Sequence, residues 1–187
     1  MGAIEFHGWC SLARDVEAPE RLVIDLDPDE GLGFDAVKAA ARDIRRKLSD
    51  LGLVSFAMLS GGKGVHVVVP LTPGHSWAAH ADFAHRFAAA LALGDPEKYV
   101  ATMSKAKRTG KIFVDWLRNQ RGSTAVMPYS ARARENAPVA VPVSWEELDG
   151  LASAHEFTIR DAGKLLERAA GKALQGWGLA AQTLPLV

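Results

Sequence analysis

The chain has 187 residues, 48% of them hydrophobic, which is enough for one domain with a buried core. A single cysteine, Cys10, excludes an internal disulfide framework, and the absence of an apolar run near the ~20 residues of a membrane span excludes an integral membrane protein. Basic and acidic residues are balanced at 22 each, so the net charge alone indicates no partner. We therefore expect one soluble domain in the reducing cytoplasm, without an export signal.

The first predicted elements are a strand and a helix. Residues 22–26 are apolar except for Asp25, as in a strand that is buried on both faces. After a turn, apolar residues recur at three- and four-residue spacing over residues 34–51, which predicts an amphipathic helix. We expect Asp35 to help cap the start of this helix and Gly52 to end it in the left-handed conformation.

The middle of the chain predicts a pair of strands and a second helix. Two short apolar runs, residues 55–59 and 65–69, are joined by the glycine-rich stretch SGGKG, as in a hairpin. Residues 76–93 are rich in alanine and carry large apolar residues at helical spacing. This pattern predicts a long helix that packs closely on the sheet.

The last third predicts short strands and short helices. Residues 111–116 and 125–129 are typical of strands, and VPVSWEELDG is typical of a strand that enters a helix capped by Ser144. Residues 158–174 again have a helical pattern. The elements together predict an α+β fold with a mixed or antiparallel β-sheet flanked by helices.

Two carboxylates lie two positions apart in the first strand. Residues i and i+2 of a strand point to the same face, so Asp25 and Asp27 should project together, about 7 Å apart or closer. Like charges this close are unfavourable unless a cation lies between them, which favours a divalent ion such as Mg²⁺ or Mn²⁺. The alternative is that the strand simply ends in solvent at Pro28.

A third acid follows another apolar run. Asp115 in KIFVDW is either an ion-pair partner of the nearby cations or a third metal ligand. We favour the ligand, because two strands that each end in acid can bring three carboxylates to one end of a sheet. Two metal ions held there would activate an attacking oxygen and stabilise a leaving one in a phosphoryl displacement.

The stretch SGGKGVH, residues 60–66, is predicted to bind an anion. Its glycines allow backbone N–H groups to converge on a phosphate, and Ser60, Lys63 and His66 add side-chain donors. The spacing differs from that of a Walker loop, and a strand follows rather than a helix. Taken alone, the stretch is as typical of an ordinary hairpin, and His66 of a buried core histidine.

Positive charge is concentrated near Asp115. Residues 104–134 hold eight cationic residues and one acidic residue, a net charge of +7, so the remainder of the neutral chain carries −7. Such a segment predicts a local anion-binding face, and the alternative is a solvated basic surface. Arg108 and Arg118 flank Asp115, and guanidinium groups match phosphate oxygens in a bidentate manner.

Four stretches together resemble a known family. VIDLDP, SGGKGVHV, KRTGKIFVDWLRN and TAVMPYSARARENAPVAVPVSWEEL resemble, in order and spacing, the polymerase domain of bacterial DNA ligase D. That domain belongs to the archaeo-eukaryotic primase superfamily, the primase-polymerases. The resemblance covers residues 2–149. It implies a primase-polymerase catalytic core over residues 1–150, with residues 151–187 as a C-terminal helical extension of the same domain.

The resemblance also implies an activity. The chain would be a DNA-directed nucleotidyltransferase that adds ribo- or deoxyribonucleotides to DNA 3′ ends in non-homologous end joining. It would use two Mn²⁺ or Mg²⁺ ions and nucleoside triphosphates. The implied partners are DNA primer-template or DNA ends, and Ku-like and ligase proteins, in a bacterial cytoplasm at the nucleoid.

The resemblance assigns roles to individual residues. The catalytic and metal-binding acids are Asp25, Asp27 and Asp115. The nucleotide-binding residues are His7, Ser60, Lys63, His66, Arg108 and Arg118. The nucleic-acid-binding residues are Lys105, Lys107 and Arg132. For His7 the alternative is a core or stacking role, and for Arg132 it is a structural role.

One departure from the family pattern keeps other functions open. Family members usually carry a further segment before EFH, so we expect this chain to be a fragment or a minimal version. The alternative function is therefore a non-catalytic module that binds DNA ends or nucleotides. A phosphohydrolase with Asp25 as nucleophile and Asp27 as acid is a further alternative, although DLDPDE lacks the hydroxyl residue and the glycine expected just after the pair.

Overall fold

Within residues 3–185, the computed structural model has ten β-strands and four α-helices. The strands are β1 (His7–Gly8), β2 (Ser11–Leu12), β3 (Asp15–Pro19), β4 (Arg21–Pro28), β5 (Phe56–Leu59), β6 (Val65–Pro70), β7 (Tyr99–Val100), β8 (Ile112–Asp115), β9 (Ala125–Val126) and β10 (Val141–Val143). The helices are α1 (Phe34–Asp50), α2 (Trp77–Gly94), α3 (Trp145–Gly150) and α4 (Ala162–Ala169). Short 3-10 helices lie at Lys105–Lys107, Leu117–Asn119, Ile159–Asp161 and Lys172–Leu174.

The central sheet has six strands in the order β10-β5-β6-β4-β8-β7. All neighbours are antiparallel except β7 and β8, which are parallel. The predicted mixed sheet with flanking helices is therefore confirmed. The predicted hairpin of β5 and β6 is also confirmed, and it lies beside β4 at the centre of the sheet.

The two faces of β4 differ in chemistry. Leu22, Ile24 and Leu26 are fully buried in the main core, which packs the sheet against α1 and α2. Because side chains alternate along a strand, Asp25 and Asp27 point to the opposite face. Smaller apolar clusters, together with the separate β1–β9 pair, cover part of that face. The alternation therefore leaves the carboxylates on the face away from the main core.

Helix ends follow the sequence closely, with one correction. Ser144 accepts the amide of Glu147 at the start of α3, and Gly52 has a φ of +76° after α1, both as predicted. The N-cap of α1 is Gly33, without a side-chain cap, so the prediction that Asp35 caps this helix is wrong. Asp35 lies one residue inside the helix, where its charge still favours the positive end of the helix dipole.

The C-terminal region is less helical than predicted. Over residues 158–174, α4 covers only Ala162–Ala169 and is flanked by 3-10 turns. The following tail packs against the sheet, since Trp177 Nε1 donates to the Ala57 carbonyl at 3.0 Å. Gln182 bonds both backbone groups of Val54 and the carbonyl of Pro70. No helix in the described part of the chain is both long and apolar enough to cross a membrane.

The predicted strand over residues 125–129 is shorter than expected. Only Ala125–Val126 is extended and paired, with β1. Pro128 lacks an N–H for a strand ladder, and Tyr129 has a φ of +63°, in the left-handed region. The chain therefore turns away directly after β9.

Candidate active site

Strand register brings Asp25 and Asp115 together. In the sheet, Asp25 lies opposite Asp115 of β8 on one side and opposite His66 of β6 on the other. Residues directly opposite in an antiparallel ladder share a face. Asp27 shares this face because it is two residues from Asp25. All three predicted acids and His66 are therefore on the same face of three adjacent strands.

Arg118 lies between Asp25 and Asp115, whose side chains are both largely buried. Its Nε is 3.2 Å from Asp25 Oδ2 and 3.2 Å from Asp115 Oδ2. Asp115 also accepts the Leu117 amide at 2.9 Å, and His66 Nε2 lies 3.4 Å from Asp25 Oδ1. The guanidinium thus separates two carboxylates that would otherwise repel each other.

Asp27 has a more open environment. Its side chain is 57% exposed, and its Oδ2 lies 3.5 Å from Arg108 Nη1. Arg108 is itself held in place, because its guanidinium stacks 3.7 Å from the Phe113 ring centroid and donates to the Met103 carbonyl at 3.0 Å. Asp27 is therefore the acid that solvent and ligands reach most easily.

The three carboxyl groups have different pKa shifts. Burial alone would raise the pKa of Asp25, but the neighbouring His66 and Arg118 hold it below its usual value. Burial, together with the charge of Asp25, raises the pKa of Asp27 despite Arg108. Burial also raises the pKa of Asp115, against the opposing effect of Arg118. Such divergent shifts in one cleft are typical of functional carboxylates.

The oxygen donors of the three acids suit a divalent ion, but only after the side chain between two of them moves. Carboxylate oxygens are the hard ligands that Mg²⁺ and Mn²⁺ take. Within residues 3–185, however, no three His, Cys, Asp or Glu side chains are grouped to hold a metal ion as they stand. Arg118 supplies the positive charge between Asp25 and Asp115, so bringing these acids onto a metal requires that guanidinium to move aside.

The glycine turn at residues 60–64 is tied into the fold. Gly64 lies so close to β4 that an added Cβ would be 1.9 Å from the Leu26 carbonyl oxygen. The amides of Ser60, Gly61 and Gly62 are already bonded, to the Gly64 carbonyl, the Ala154 carbonyl and the Ser60 hydroxyl. These three amides do not converge on an anion, contrary to the sequence-based expectation. Anion binding at this turn would therefore not use these three amides.

A cleft of about 200 Å³ opens beside the acids and the glycine turn. Asp25, Asp27 and Ser60 line it, together with a ring of basic side chains. The basic residues that line it are His7, Lys63, His66, Arg118, Arg132 and Arg134. A cleft with carboxylates on one wall and several cations around it suits a ligand that carries both phosphates and a divalent ion.

The family assignment follows from comparison with known proteins. The family model for the LigD primase-polymerase domain matches residues 1–173, most of the chain. The chain belongs to the LigD primase-polymerase domain family. The resemblance seen in the four sequence stretches is thereby confirmed.

Individual relatives agree with this assignment. The multifunctional non-homologous end joining protein LigD of Pseudomonas aeruginosa is 44% identical over 171 residues, which cover 91% of this chain and 20% of that protein. The multifunctional non-homologous end joining DNA repair protein LigD of Mycobacterium tuberculosis is 42% identical over 154 residues, which cover 79% and 20%. The chain therefore spans about a fifth of the length of these curated relatives.

A solved structure confirms the fold. The polymerase domain of Mycobacterium tuberculosis ligase D in complex with DNA matches with a TM-score of 0.69 and 40% sequence identity. The match covers 83% of this chain and 56% of that one. The α+β architecture described above is therefore that of a LigD polymerase domain.

Most of the predicted site residues of this primase-polymerase domain meet at the cleft. Arg108 reaches it through Asp27, and Lys63 is partly engaged by Glu30, at 3.2 Å. Lys105 and Lys107 are exposed on a 3-10 turn that precedes Arg108, and they do not line the cleft. The predicted nucleic-acid residues are thus split, since Arg132 is inside the cleft and the two lysines are outside it.

Sequence reasoning missed one residue that lines the cleft and one that supports a strand beside it. Arg134 lines the cleft, and its guanidinium makes no hydrogen bond or ion pair with any other residue between 3 and 185. The signal was its position two residues after Arg132 in the basic stretch YSARAR, and in the structure the Arg134 amide donates to the Arg132 carbonyl at 2.8 Å in a tight turn. Asn119, next to Arg118, is fully buried and bonds both backbone groups of Val23. Only the folded structure shows that contact.

Proposed function

We propose that the chain is a nucleotidyltransferase that adds ribo- or deoxyribonucleotides to DNA 3′ ends in non-homologous end joining. The observation that carries this proposal is the placement of Asp25, Asp27 and Asp115 on one sheet face beside a cleft lined with cations. Relatives named as end-joining proteins, and the related polymerase domain in complex with DNA, support the same reaction class. This combination favours phosphoryl transfer over an ordinary surface ion-pair cluster.

The acids would hold the catalytic ions. Asp25, Asp27 and Asp115 would bind Mn²⁺ or Mg²⁺, which when bound lower the pKa of an attacking hydroxyl group and offset negative charge on phosphate. The pKa values of Asp27 and Asp115 are raised, so these two carboxylates gain the most from a cation that keeps them ionised. Arg118 would exchange its carboxylate partners for phosphate oxygens as the site fills.

The remaining side chains would bind and orient the substrate. His7, Lys63 and Arg132 surround the cleft and would bind the triphosphate through charge-assisted hydrogen bonds. His66 is buried against Asp25 and would fix the orientation of that carboxylate. The Ser60 hydroxyl, which accepts the Gly62 amide, would add a donor to the nucleotide.

DNA would approach from the side of Arg108. Lys105 and Lys107 are exposed on the turn that leads to Arg108, and Arg108 touches Asp27. Their charges would neutralise backbone phosphates and make binding weaken with added salt. Ligase and Ku-like proteins are proposed as partners because the relatives are multifunctional end-joining proteins.

Primer extension tests the proposal. A labelled DNA primer-template is incubated with the chain, Mn²⁺ or Mg²⁺, and each ribo- or deoxyribonucleoside triphosphate. Extension by the parent chain should fall at least about 100-fold in Asp25→Ala, Asp27→Ala and Asp115→Ala, because each removes charge needed to hold the metal. Circular dichroism should show all three variants folded. Comparable extension by Asp25→Ala or Asp115→Ala would overturn the assignment.

A second candidate is a non-catalytic module that binds DNA ends or nucleotides. The bridge that Arg118 makes between Asp25 and Asp115 favours it, because a stable ion pair would keep the acids from a metal. Retained DNA or nucleotide binding without incorporation would select this candidate. Release of phosphate from a small ester without any primer would instead select a phosphohydrolase.

A further inference from the structure

Glu5 has an unusually full set of partners for a residue at the edge of the cleft. Its Oε1 accepts from Arg132 Nε at 2.7 Å and lies 3.2 Å from His7 Nε2. Its Oε2 accepts the Ala133 amide at 3.0 Å. One carboxylate therefore contacts both the strand that carries His7 and the segment that carries Arg132, which are over 120 residues apart in sequence.

Arg132 extends this connection to the glycine turn. Its Nη1 donates to the Ser60 carbonyl, while its Nε is engaged by Glu5. The Arg132 stem packs so tightly here that a Cβ on Gly61 would be 2.8 Å from Arg132 Cγ. The guanidinium is thus held from two sides, and the cleft receives a cation whose orientation is fixed before any ligand binds.

The negative charge of Glu5 is unfavourable for the binding of an anion in the cleft. The Ala133 amide, followed by Arg132, lowers the pKa of Glu5 to about 2, so it is ionised at any working pH. A carboxylate close to a phosphate site weakens anion binding by Coulomb repulsion. Its benefit must therefore come from the geometry that it imposes on its two basic partners.

We propose that Glu5 is a positioning residue, which orients the His7 imidazole and the Arg132 guanidinium toward the triphosphate of the incoming nucleotide. The inference rests on the proposed function, because it takes a nucleoside triphosphate as the ligand of this cleft. Glu5 touches neither the reacting atoms nor the acids on β4 and β8. Its effect on the nucleotide passes through the two side chains that it holds.

The test compares two neutral substitutions on opposite sides of the cleft. Glu5→Gln and Glu30→Gln each remove one negative charge, and Glu30 is the exposed partner of Lys63. If charge alone mattered, both variants would bind ATP in the presence of Mn²⁺ at least as tightly as the parent chain. Positioning predicts the opposite for Glu5→Gln, because a carboxamide presents an NH₂ group to one of three donors.

Calorimetric titration with ATP and Mn²⁺ gives the readout. We expect Glu5→Gln to weaken binding about tenfold, as for loss of a hydrogen bond to a charged group, while Glu30→Gln binds as the parent does or more tightly. In a background that carries both His7→Ala and Arg132→Ala, the same Glu5→Gln change should cost less than about twofold, because both side chains that it orients are gone. A merely structural role would instead give the full loss in both backgrounds.

The outcomes separate this inference from the proposed function. Binding of ATP by the parent chain without primer extension would overturn the proposed reaction. The role of Glu5 would still be tested by comparing ATP binding in Glu5→Gln and in the parent chain. Equal binding by the parent and Glu5→Gln would overturn the positioning role alone. Failure of the parent chain to bind ATP would overturn both.

Discussion

Asp25 lies directly opposite Asp115 in the antiparallel ladder of β4 and β8. Like charges in this position destabilise a sheet unless a cation compensates them. In the structure Arg118 does so, with its Nε 3.2 Å from an oxygen of each carboxylate. The cation that lies between these two acids therefore determines both the stability of this end of the sheet and whether the acids are available to a metal ion.

Mn²⁺ should stabilise the folded chain through these acids. An ion that binds only the folded state raises the free energy of unfolding by about 2.7 kcal/mol at 100 times its dissociation constant. We expect the midpoint of thermal unfolding to rise with Mn²⁺ concentration in the parent chain and to respond much less in Asp25→Asn. Asp35→Asn, an exposed change on α1, should keep the full response. An equal rise in the parent and Asp25→Asn would place the ion elsewhere.

A methyl group on Gly64 should disturb the same sheet end. Its Cβ would lie 1.9 Å from the Leu26 carbonyl oxygen in the adjacent strand, so β4 or the turn must shift. We expect Gly64→Ala to lower the free energy of unfolding by roughly 1–3 kcal/mol, as for an overpacked site. Urea unfolding measures this directly.

Gly62→Ala is the matched control for Gly64→Ala. An added Cβ on Gly62 meets nothing closer than the Ser60 hydroxyl at 3.4 Å, an ordinary contact. Gly62→Ala should therefore unfold within about 0.5 kcal/mol of the parent chain. Equal losses of unfolding free energy in the two variants would show that the close approach of Gly64 to β4 is not the cause of the destabilisation.

Local pattern was sufficient to predict the elements that present the acids. The alternation of RLVIDLDP predicts a strand with both acids on one face, because side-chain direction in a strand has a period of two. The amphipathic spacing of residues 34–51 likewise predicts α1, since its apolar stripe must face the core. These features depend on neighbours in sequence, which a single chain displays directly.

The features that could not be predicted depend on long-range register. The convergence of Asp115 with Asp25 was expected from two strands that each end in acid, but nothing near Asp115 in sequence states that it will lie directly opposite Asp25, ninety residues earlier. The engagement of the Gly61 amide by Ala154 removes it from anion binding, and that contact also joins distant segments. Glu5 and Asn119 were missed for the same reason, because each acts through partners that only the folded chain brings close.

Asn119 should be essential for the stability of the central sheet. Its Oδ1 accepts the Val23 amide at 2.8 Å and its Nδ2 donates to the Val23 carbonyl at 2.7 Å, so the side chain takes the place of a strand backbone beyond the end of β8. We expect Asn119→Ala to lower the free energy of unfolding by roughly 2–4 kcal/mol, since two buried backbone groups of Val23 lose their partner.

Asn119→Asp separates hydrogen bonding from volume. The aspartate can still accept the Val23 amide but places an oxygen against the Val23 carbonyl at a fully buried position. It should therefore unfold as easily as Asn119→Ala, or more easily, in urea titrations at neutral pH. A chain with Asn119→Asp as stable as the parent would mean that Val23 is satisfied in another way.

His80 should give the fold a dependence on pH that is independent of the site. It is fully buried on α2, with the ring of Trp77 packed edge-on against it. Burial lowers its pKa to about 4, so the unfolded chain binds a proton below about pH 6.5 that the folded chain does not. The contribution of neutral His80 to the free energy of unfolding is therefore fully present above that pH. It is lost as the pH falls toward 4, by roughly 3 kcal/mol in total.

Urea unfolding between pH 4 and pH 7 measures this contribution of His80. We expect His80→Leu, an apolar residue of similar size, to flatten the decline between about pH 6.5 and pH 4, because the leucine binds no proton in either state. His85→Leu, an exposed change on the same helix, should keep the decline of the parent chain. A decline of the same steepness in His80→Leu would show that other groups account for the loss of stability in acid.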